Sequence, residues 1–385
     1  MKPCIGHSIE YLSLTVNWAY NQIVGLKEFE SAVVLISNAN KESFPLKRAY
    51  YANDSKIFMR MIQKVFGRLG LIDYQAYKFL KNNNVVLLHS HFGPQGYKNL
   101  SLVYKLKLPH ITTFYGYDVG MLPNLYPNWR DRYKRLFDEC NLFLAEGNRL
   151  KKSLMSLGCP EEKIIVQHLG VDLNRIPYMP RKIDEDGSIN ILASATFIEK
   201  KGLPYALEAF ASVRKKYPNI VFTLIGGVPN RKDKRYLREE MKIFEVIKKY
   251  KLEDSVNMLG YLPYDDYIKE ALKAHIFIHP SITASDGDTE GGAPVSIIEM
   301  SASGMPILST FHCDISEVVI DGVTGYLVPE RGVEALTDKL DYLVSHPGVW
   351  QDFGYLGRQH ISNEFNLKHQ IDKLESIYTD IIQAK

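Results

Sequence analysis

Short apolar runs rich in β-branched residues alternate along this chain with longer stretches whose apolar residues recur at helical spacing. That alternation is the signature of βαβ units and a parallel sheet. In the first half the runs predict strands at 32–36, 85–88, 110–113, 142–145 and 164–167, each followed by a polar or glycine-containing loop. In the second half they fall at 189–193, 220–225, 256–259, 276–279, 306–309 and 325–328, with helical stretches such as 205–216 between them. The segment 176–188 (IPYMPRKIDEDGS) carries two prolines, a charge cluster and a glycine but no periodicity, so it reads as a linker. The pattern predicts an α/β chain of two parallel-sheet domains, 1–178 and 179–366.

A helix is also predicted over 54–71. Ile57, Phe58, Met61, Ile62, Val65, Phe66 and Leu69 share one face, and Lys56, Arg60, Lys64 and Arg68 recur every four residues. Like charges at that spacing repel. Such a ridge suits an anionic bilayer, at about 1 kcal/mol per basic residue near the surface, and an ordinary core-facing helix explains the apolar stripe equally well.

Composition sets bounds on this picture. A chain of 385 residues with 45% hydrophobic and 11% aromatic content can bury two full cores. Cys4, Cys140, Cys159 and Cys313 form no CxxC pair, which excludes a zinc ribbon and a dithiol motif and fits a reducing, cytoplasmic compartment. The N-terminal stretch has one lysine and no sustained apolar core, so no secretory signal is expected. No transmembrane helix is expected either, because the longest weakly charged stretch, 291–313, holds Glu299 and is broken by Gly, Pro and Ser. The net charge of +3 conceals an asymmetry. Residues 1–178 carry 23 Lys and Arg against 14 Asp and Glu, whereas residues 179–385 carry 24 against 30. A basic first half suits an anionic membrane or a phospholipid-linked acceptor, and no nucleic-acid module is recognisable in it.

The most informative stretch is 286–306, DGDTEGGAPVSIIEMSASGMP, in which two carboxylates flank a Gly-Gly-Ala-Pro turn that opens an apolar helix. The first-turn amides of such a helix point outward without partners and, with the helix dipole, form an anion site suited to a diphosphate. Glu290 before the turn and Glu299 within the helix would lie on either side of that anion. The strand, loop and helix at 189–210 put Lys200, Lys201 and Gly202 at the carboxyl end of a parallel strand, the edge where open α/β sheets bind ligands. A lysine there can neutralise charge growing on a leaving diphosphate. A third strand ends in Gly226 and Gly227, which let the backbone approach a ligand closely.

The succession of KKG (200–202), IGG (225–227), LGYLP (259–263), HPS (279–281), TEGGAPVSIIE (289–299), SGMPILST (303–310) and DGVTGYLVP (321–329) resembles the donor half of the family 4, or group 1, GT-B glycosyltransferases. In the first half, LLHSHFG (87–93) and PHITTFYGYD (109–118) resemble the family's two acceptor-side loops, and residues 367–382 resemble the helix that crosses back onto the first domain. The resemblance implies two Rossmann-like domains facing across a cleft, with residues 367–385 joining the first. It implies a retaining transferase of the hexosyltransferase class that needs no metal and no cofactor. The nucleotide sugar, UDP- or GDP-linked, is then a co-substrate and the acceptor a saccharide or lipid-linked saccharide. Cell-surface polysaccharide or glycolipid assembly is the implied setting, in the cytoplasm at the inner face of the membrane.

Residue by residue, Lys201 matches the lysine on the donor diphosphate, Glu290 the first acid of the E-x7-E motif near the sugar, and Glu299 the second acid, on the ribose. Gly291, Gly292, Ala293, Pro294 and Val295 supply amides to sugar and phosphate. Gly260 and Tyr261 would lie near the base, and Gly226, Gly227 and Lys200 belong to the same donor site. Three departures stand out. The two acids enclose eight residues, so the turn must carry a bulge or Glu290 must shift. The usual arginine before KKG is Thr196, and the usual histidine of the FHG loop is Tyr115. His91, placed by this reading in a loop shortly before Gly93, is the first substitute for that histidine, ahead of His89 and the Tyr115 hydroxyl; Asp118 completes the acceptor-side set. His89 and His91 read as HxH, but no carboxylate or cysteine nearby completes a metal site. Asp286 and Asp288 mimic a DxD motif and read as a solvated loop. Glu299 has a structural alternative, a pair with a nearby lysine. Two other functions fit the same pattern: a GT-B nucleotide-sugar epimerase and a non-catalytic nucleotide-sugar-binding subunit.

Overall fold

The computed structural model describes residues 2–12, 17–38, 40–54 and 73–384. The basic helix expected over 54–71 lies, beyond its first residue, outside them. The chain divides into two compact units. One comprises Met1–Gly170 with Leu367–Lys385, the other Val171–Asn366. The division falls after Gly170 rather than after Tyr178, because Val171 and Ile176 are buried in the second unit's core and Val171 bridges to Asn366.

Each unit is a doubly wound parallel sheet. In the first, strands β1 (Cys4–Ile9), β2 (Glu30–Leu35), β3 (Ala49–Tyr51), β4 (Val85–His91), β5 (His110–Phe114), β6 (Leu142–Ala145) and β7 (Ile164–Val166) lie in the order β3-β2-β1-β4-β5-β6-β7. In the second, β8 (Ile189–Thr196), β9 (Ile220–Gly227), β10 (Val256–Gly260), β11 (Ile276–His279), β12 (Ile307–Thr310) and β13 (Gly325–Val328) lie in the order β10-β9-β8-β11-β12-β13. Both orders reverse direction once, between β1 and β4 and between β8 and β11. Such switch points open a crevice beyond the carboxyl ends of the strands.

Two strands escape the hydrophobic pattern. β1 reads CIGHSI, with a glycine and two polar residues, yet all six residues are buried at the centre of its sheet. Its polar groups are matched inside: the Gln95 amide donates to Ser8, and His7 meets His91. β3 is a three-residue edge strand, too short to show a period.

The helix Leu367–Gln383 completes the first unit. Leu374, Ile377 and Tyr378 pack with Ile5, Leu87, Ile111, Leu142 and Leu144. Glu375 accepts the amides of Lys27 and Glu28, and Gln167 donates to Gln370. In the second unit the helix Val349–Glu364 lies against the end of the helix Val295–Ala302 at Gly354. A Cβ on Gly354 would overlap the carbonyl oxygen of Gly304. Within a helix, Gly to Ala ordinarily gains up to about 1 kcal/mol; a backbone overlap costs about 1–3 kcal/mol and wins. Gly354→Ala should therefore lower the melting temperature, and a rise in thermal denaturation would show that the two helices can part freely.

Candidate functional site

The donor-side candidates gather at the carboxyl edge of the second sheet. β8 runs into a turn at Glu199–Lys201 and then Gly202, whose φ is +63°. A side chain there would overlap the Pro280 carbonyl, so a glycine is required for the loop to lie against the end of β11. This approach brings Lys201 Nζ to 2.8 Å from Glu290 Oε2, while the Ser281 hydroxyl donates to Glu290 Oε1 at 2.8 Å and His279 Nε2 stands 3.7 Å away. The Glu290 side chain is 5% exposed. Burial alone would raise its pKa, but the Lys201 ammonium, with help from His279, outweighs that and holds the carboxyl well below its usual range. Lys201 and Glu290, expected on separate parts of the donor, are thus ion-paired with each other.

Lys200 forms a second pair, with Asp288 Oδ1 at 3.1 Å and the Thr289 carbonyl at 2.9 Å. The expectation of a solvated loop fails for Asp288, whose side chain is 5% exposed, because the turn folds it inward onto this lysine. Asp286 is partly exposed and lies 3.8 Å from Arg235.

The eight-residue spacing is absorbed in the turn rather than in the helix. Gly291 takes φ +81°, the chain turns through Gly292 and Ala293, and the helix begins at Val295 after Pro294. No side chain caps this helix start; Pro294 accepts only the amides of Ile297 and Ile298. The turn is also tethered from behind. The Glu290 amide donates to His312 Nε2 at 3.2 Å, His312 Nδ1 meets Glu330 Oε1 at 2.7 Å, and Glu330 accepts the Thr283 amide. The first of these contacts makes Nε2 the acceptor, so Nδ1 carries the proton toward Glu330. Sequence reasoning gave Ser281 no role although it closes the HPS motif, and it missed His312 and Glu330, which lie outside every motif.

Glu299 lies in the second turn of the helix and is buried, and the groups that act on its carboxyl are the phenols of Tyr264 and Tyr267 and, more weakly, Arg175, rather than a lysine. Burial pushes its carboxyl up to about 7, against the pull of those phenols. Thr196, Gly226, Gly227, Gly260 and Tyr261 come together at the ends of β8, β9 and β10. The Tyr261 hydroxyl donates to the Gly227 carbonyl at 3.0 Å and lies 3.2 Å from Thr196 Oγ1, leaving the ring half exposed. Gly226 at φ +122° has no room for a side chain against the Ala195 carbonyl.

The acceptor-side candidates gather at the switch point of the first sheet. His91 is not in a loop: it is the last residue of β4 and fully buried, because the strand runs three residues beyond its apolar run. Its Nδ1 lies 2.6 Å from the Tyr115 hydroxyl. Asp118 is also fully buried. Its Oδ2 accepts the Gly93 amide and its Oδ1 the amides of Tyr115 and Gly116, so it ties the two loops together. Burial raises it to about 6 in spite of those three amides. The ring nitrogens of His7, His89 and His91 lie within 4.8 Å of one another; His7 belongs to the strand that carries no apolar pattern.

Glu299 yields a pH test of this geometry. A carboxyl whose folded pKa is raised is protonated in both states below about 4.5, costs stability as pH rises toward 7, and carries the full cost above it. Glu299→Gln should therefore raise the melting temperature relative to wild type more at pH 8 than at pH 5. An equal effect at both pH values would place the carboxyl in water.

Comparison with known proteins agrees with this architecture. The family model described as glycosyl transferases group 1 matches residues 178–360, and that described as glycosyltransferase family 4 matches residues 16–175, so the two span nearly the whole chain. A putative colanic acid biosynthesis glycosyltransferase, WcaL of Salmonella typhimurium, is 33% identical over 254 residues, 65% of this chain and 59% of the relative. The amylovoran biosynthesis glycosyltransferase AmsK of Erwinia amylovora is 32% identical over 248 residues, 64% of this chain and 58% of the relative. The chain thus matches less than two thirds of these relatives' length. Among solved structures, a glycosyltransferase from Rickettsia africae has a TM-score of 0.78 at 18% identity, with all of both chains covered. HepE of Anabaena, in complex with UDP, has a TM-score of 0.78 at 14% identity, covering 99% of this chain and all of that one. Both likenesses are of fold.

Proposed function

The chain belongs to the family 4, group 1 glycosyltransferases, and from that premise we propose that it moves a sugar from a nucleotide-sugar donor to a saccharide or lipid-linked saccharide in cell-surface polysaccharide assembly. The names of its relatives support that setting. The carrying observation is the Lys201–Glu290 pair beside a helix start that no side chain caps. A diphosphate laid on that start would meet outward amides and the positive end of the helix dipole, with the Lys201 ammonium at hand. Glu290, ionised and held by Ser281, would then orient a donor-sugar hydroxyl. Tyr261 offers a half-exposed ring to the base, and Glu299 an acceptor to the ribose.

The reaction we infer retains configuration and needs no metal. The acceptor oxygen bonds to the anomeric carbon on the face from which the diphosphate departs, the carbon–phosphate-oxygen bond breaks, and the acceptor's proton passes to that departing oxygen. The amides and Lys201 carry the growing charge, the task that elsewhere falls to a metal ion. A lipid-linked acceptor would draw the chain to the inner face of the cytoplasmic membrane, which suits the basic first half. Among the described residues no helix is long and apolar enough to cross a membrane.

Lys201→Ala should lower turnover by about 10²-fold or more, as expected for loss of one preorganised transition-state donor. The measurement is consumption of UDP- and GDP-sugars with and without a panel of free and lipid-linked oligosaccharides. Near-normal turnover would remove Lys201 from the mechanism, and equal consumption without any acceptor would replace transfer by isomerisation or hydrolysis.

A further inference from the structure

Two hydrogen-bonded chains run through the core of the first unit, and one ends on a residue that no motif contains. The Tyr378 hydroxyl lies 2.6 Å from His89 Nδ1, and His89 Nε2 lies 2.6 Å from Thr113 Oγ1. In a second chain beside it, the Tyr115 phenol lies 2.6 Å from His91 Nδ1, and His91 Nε2 lies 3.4 Å from His7 Nδ1. His7 Nε2 has no partner. All six side chains are buried. Burial keeps the three imidazoles neutral, with pKa values lowered from the usual histidine range. Each ring therefore has one N–H and one bare nitrogen.

A chain of this kind can run in two directions, and the ends decide between them. Running from Tyr115 toward His7, the phenol and the His91 ring each donate to their successor, and the single unmatched group is the His7 Nε2–H. Running the other way, the Tyr115 O–H loses His91 as its acceptor and the bare His7 Nε2 has no donor. The first direction strands fewer buried polar groups and is favoured. In that direction the Tyr115 proton goes to His91, so that toward any further group the phenol oxygen can only accept.

We propose that His7 is a positioning residue of the acceptor side, whose Nδ1 accepts from His91 Nε2–H and so holds His91 in the tautomer that takes the Tyr115 proton. The effect on catalysis rests on the reading of Tyr115 as an acceptor-side group. The tautomer itself does not. Asparagine and glutamine separate this role from simple packing. The Asn terminal oxygen is three bonds from Cα, as is His Nδ1, and can accept from His91; the Gln oxygen is four bonds away, like Nε2, and cannot take that place.

Long-range NMR of the full chain labelled with 15N-histidine should show His91 protonated at Nε2 in wild type and in His7→Asn, and shifted toward the Nδ1–H form in His7→Gln. His91 protonated at Nδ1 in wild type would overturn the proposal, as would an unchanged His91 in His7→Gln. So would a stoichiometric transition metal bound by the three rings, read by elemental analysis of the purified protein. With a donor and acceptor pair from the screen above, His7→Gln should lose about tenfold or more in kcat/KM for the acceptor, and His7→Asn less than about threefold. The affinity for UDP or GDP should be unchanged in both. Equal losses in the two variants, or a loss of nucleotide affinity, would make His7 a packing residue. If wild type consumes no nucleotide sugar, the proposed function fails while the NMR result still decides the tautomer.

Discussion

The second unit is organised around one ion pair, Lys201 with Glu290, held in a pocket where neither side chain is more than one sixth exposed. Two charges at 2.8 Å in such surroundings attract strongly, but taking them out of water costs nearly as much. The pair persists because each partner is anchored elsewhere. Gly202 lets the lysine loop press against Pro280, Ser281 donates to the carboxylate, and His312 with Glu330 holds the Glu290 amide from behind. Such a site is built to receive an anion. A diphosphate competes with Glu290 for the ammonium, and the carboxylate released from that contact is already ionised and aimed at what accompanies the phosphate.

The same logic accounts for Thr196 standing where an arginine is usual. A guanidinium near β8 would add a third cation beside Lys200 and Lys201, and Asp288 is already committed to Lys200. Thr196 instead joins Tyr261 and Gly227 in a neutral hydrogen-bonded corner at the ends of three strands. Charge is thus concentrated on the side of the helix start, and the corner beside it is left to an aromatic ring and hydroxyls, a division that suits a ligand with one anionic and one flat, uncharged part.

Much of this was legible in the sequence. Buried parallel strands are apolar throughout, so the runs at 220–225, 276–279 and 325–328 could not be mistaken, and Gly202 and Gly291 mark turns that only glycine fits comfortably. What stayed hidden was pairing. Nothing local says that Asp288 turns inward to Lys200 while Asp286, two residues earlier, remains partly exposed, or that Glu299 meets two phenols from the helix Tyr264–Leu272. β1 was invisible for a related reason: hydrogen bonds to residues more than 80 positions away make His7 and Ser8 acceptable in a core, and a hydropathy pattern cannot register partners so distant.

The helix Leu367–Gln383 belongs to the first unit although the whole second unit precedes it in the chain. Leu374, Ile377 and Tyr378 therefore reach the greasy face of β1, β4, β5 and β6 last of all. At ribosomal speeds of 5–20 residues per second, that face waits about 10–40 s after its own strands have emerged. For that interval the nascent first unit shows water, or a chaperone, the strip formed by Ile5, Leu87, Ile111, Leu142 and Leu144, and only then can it close.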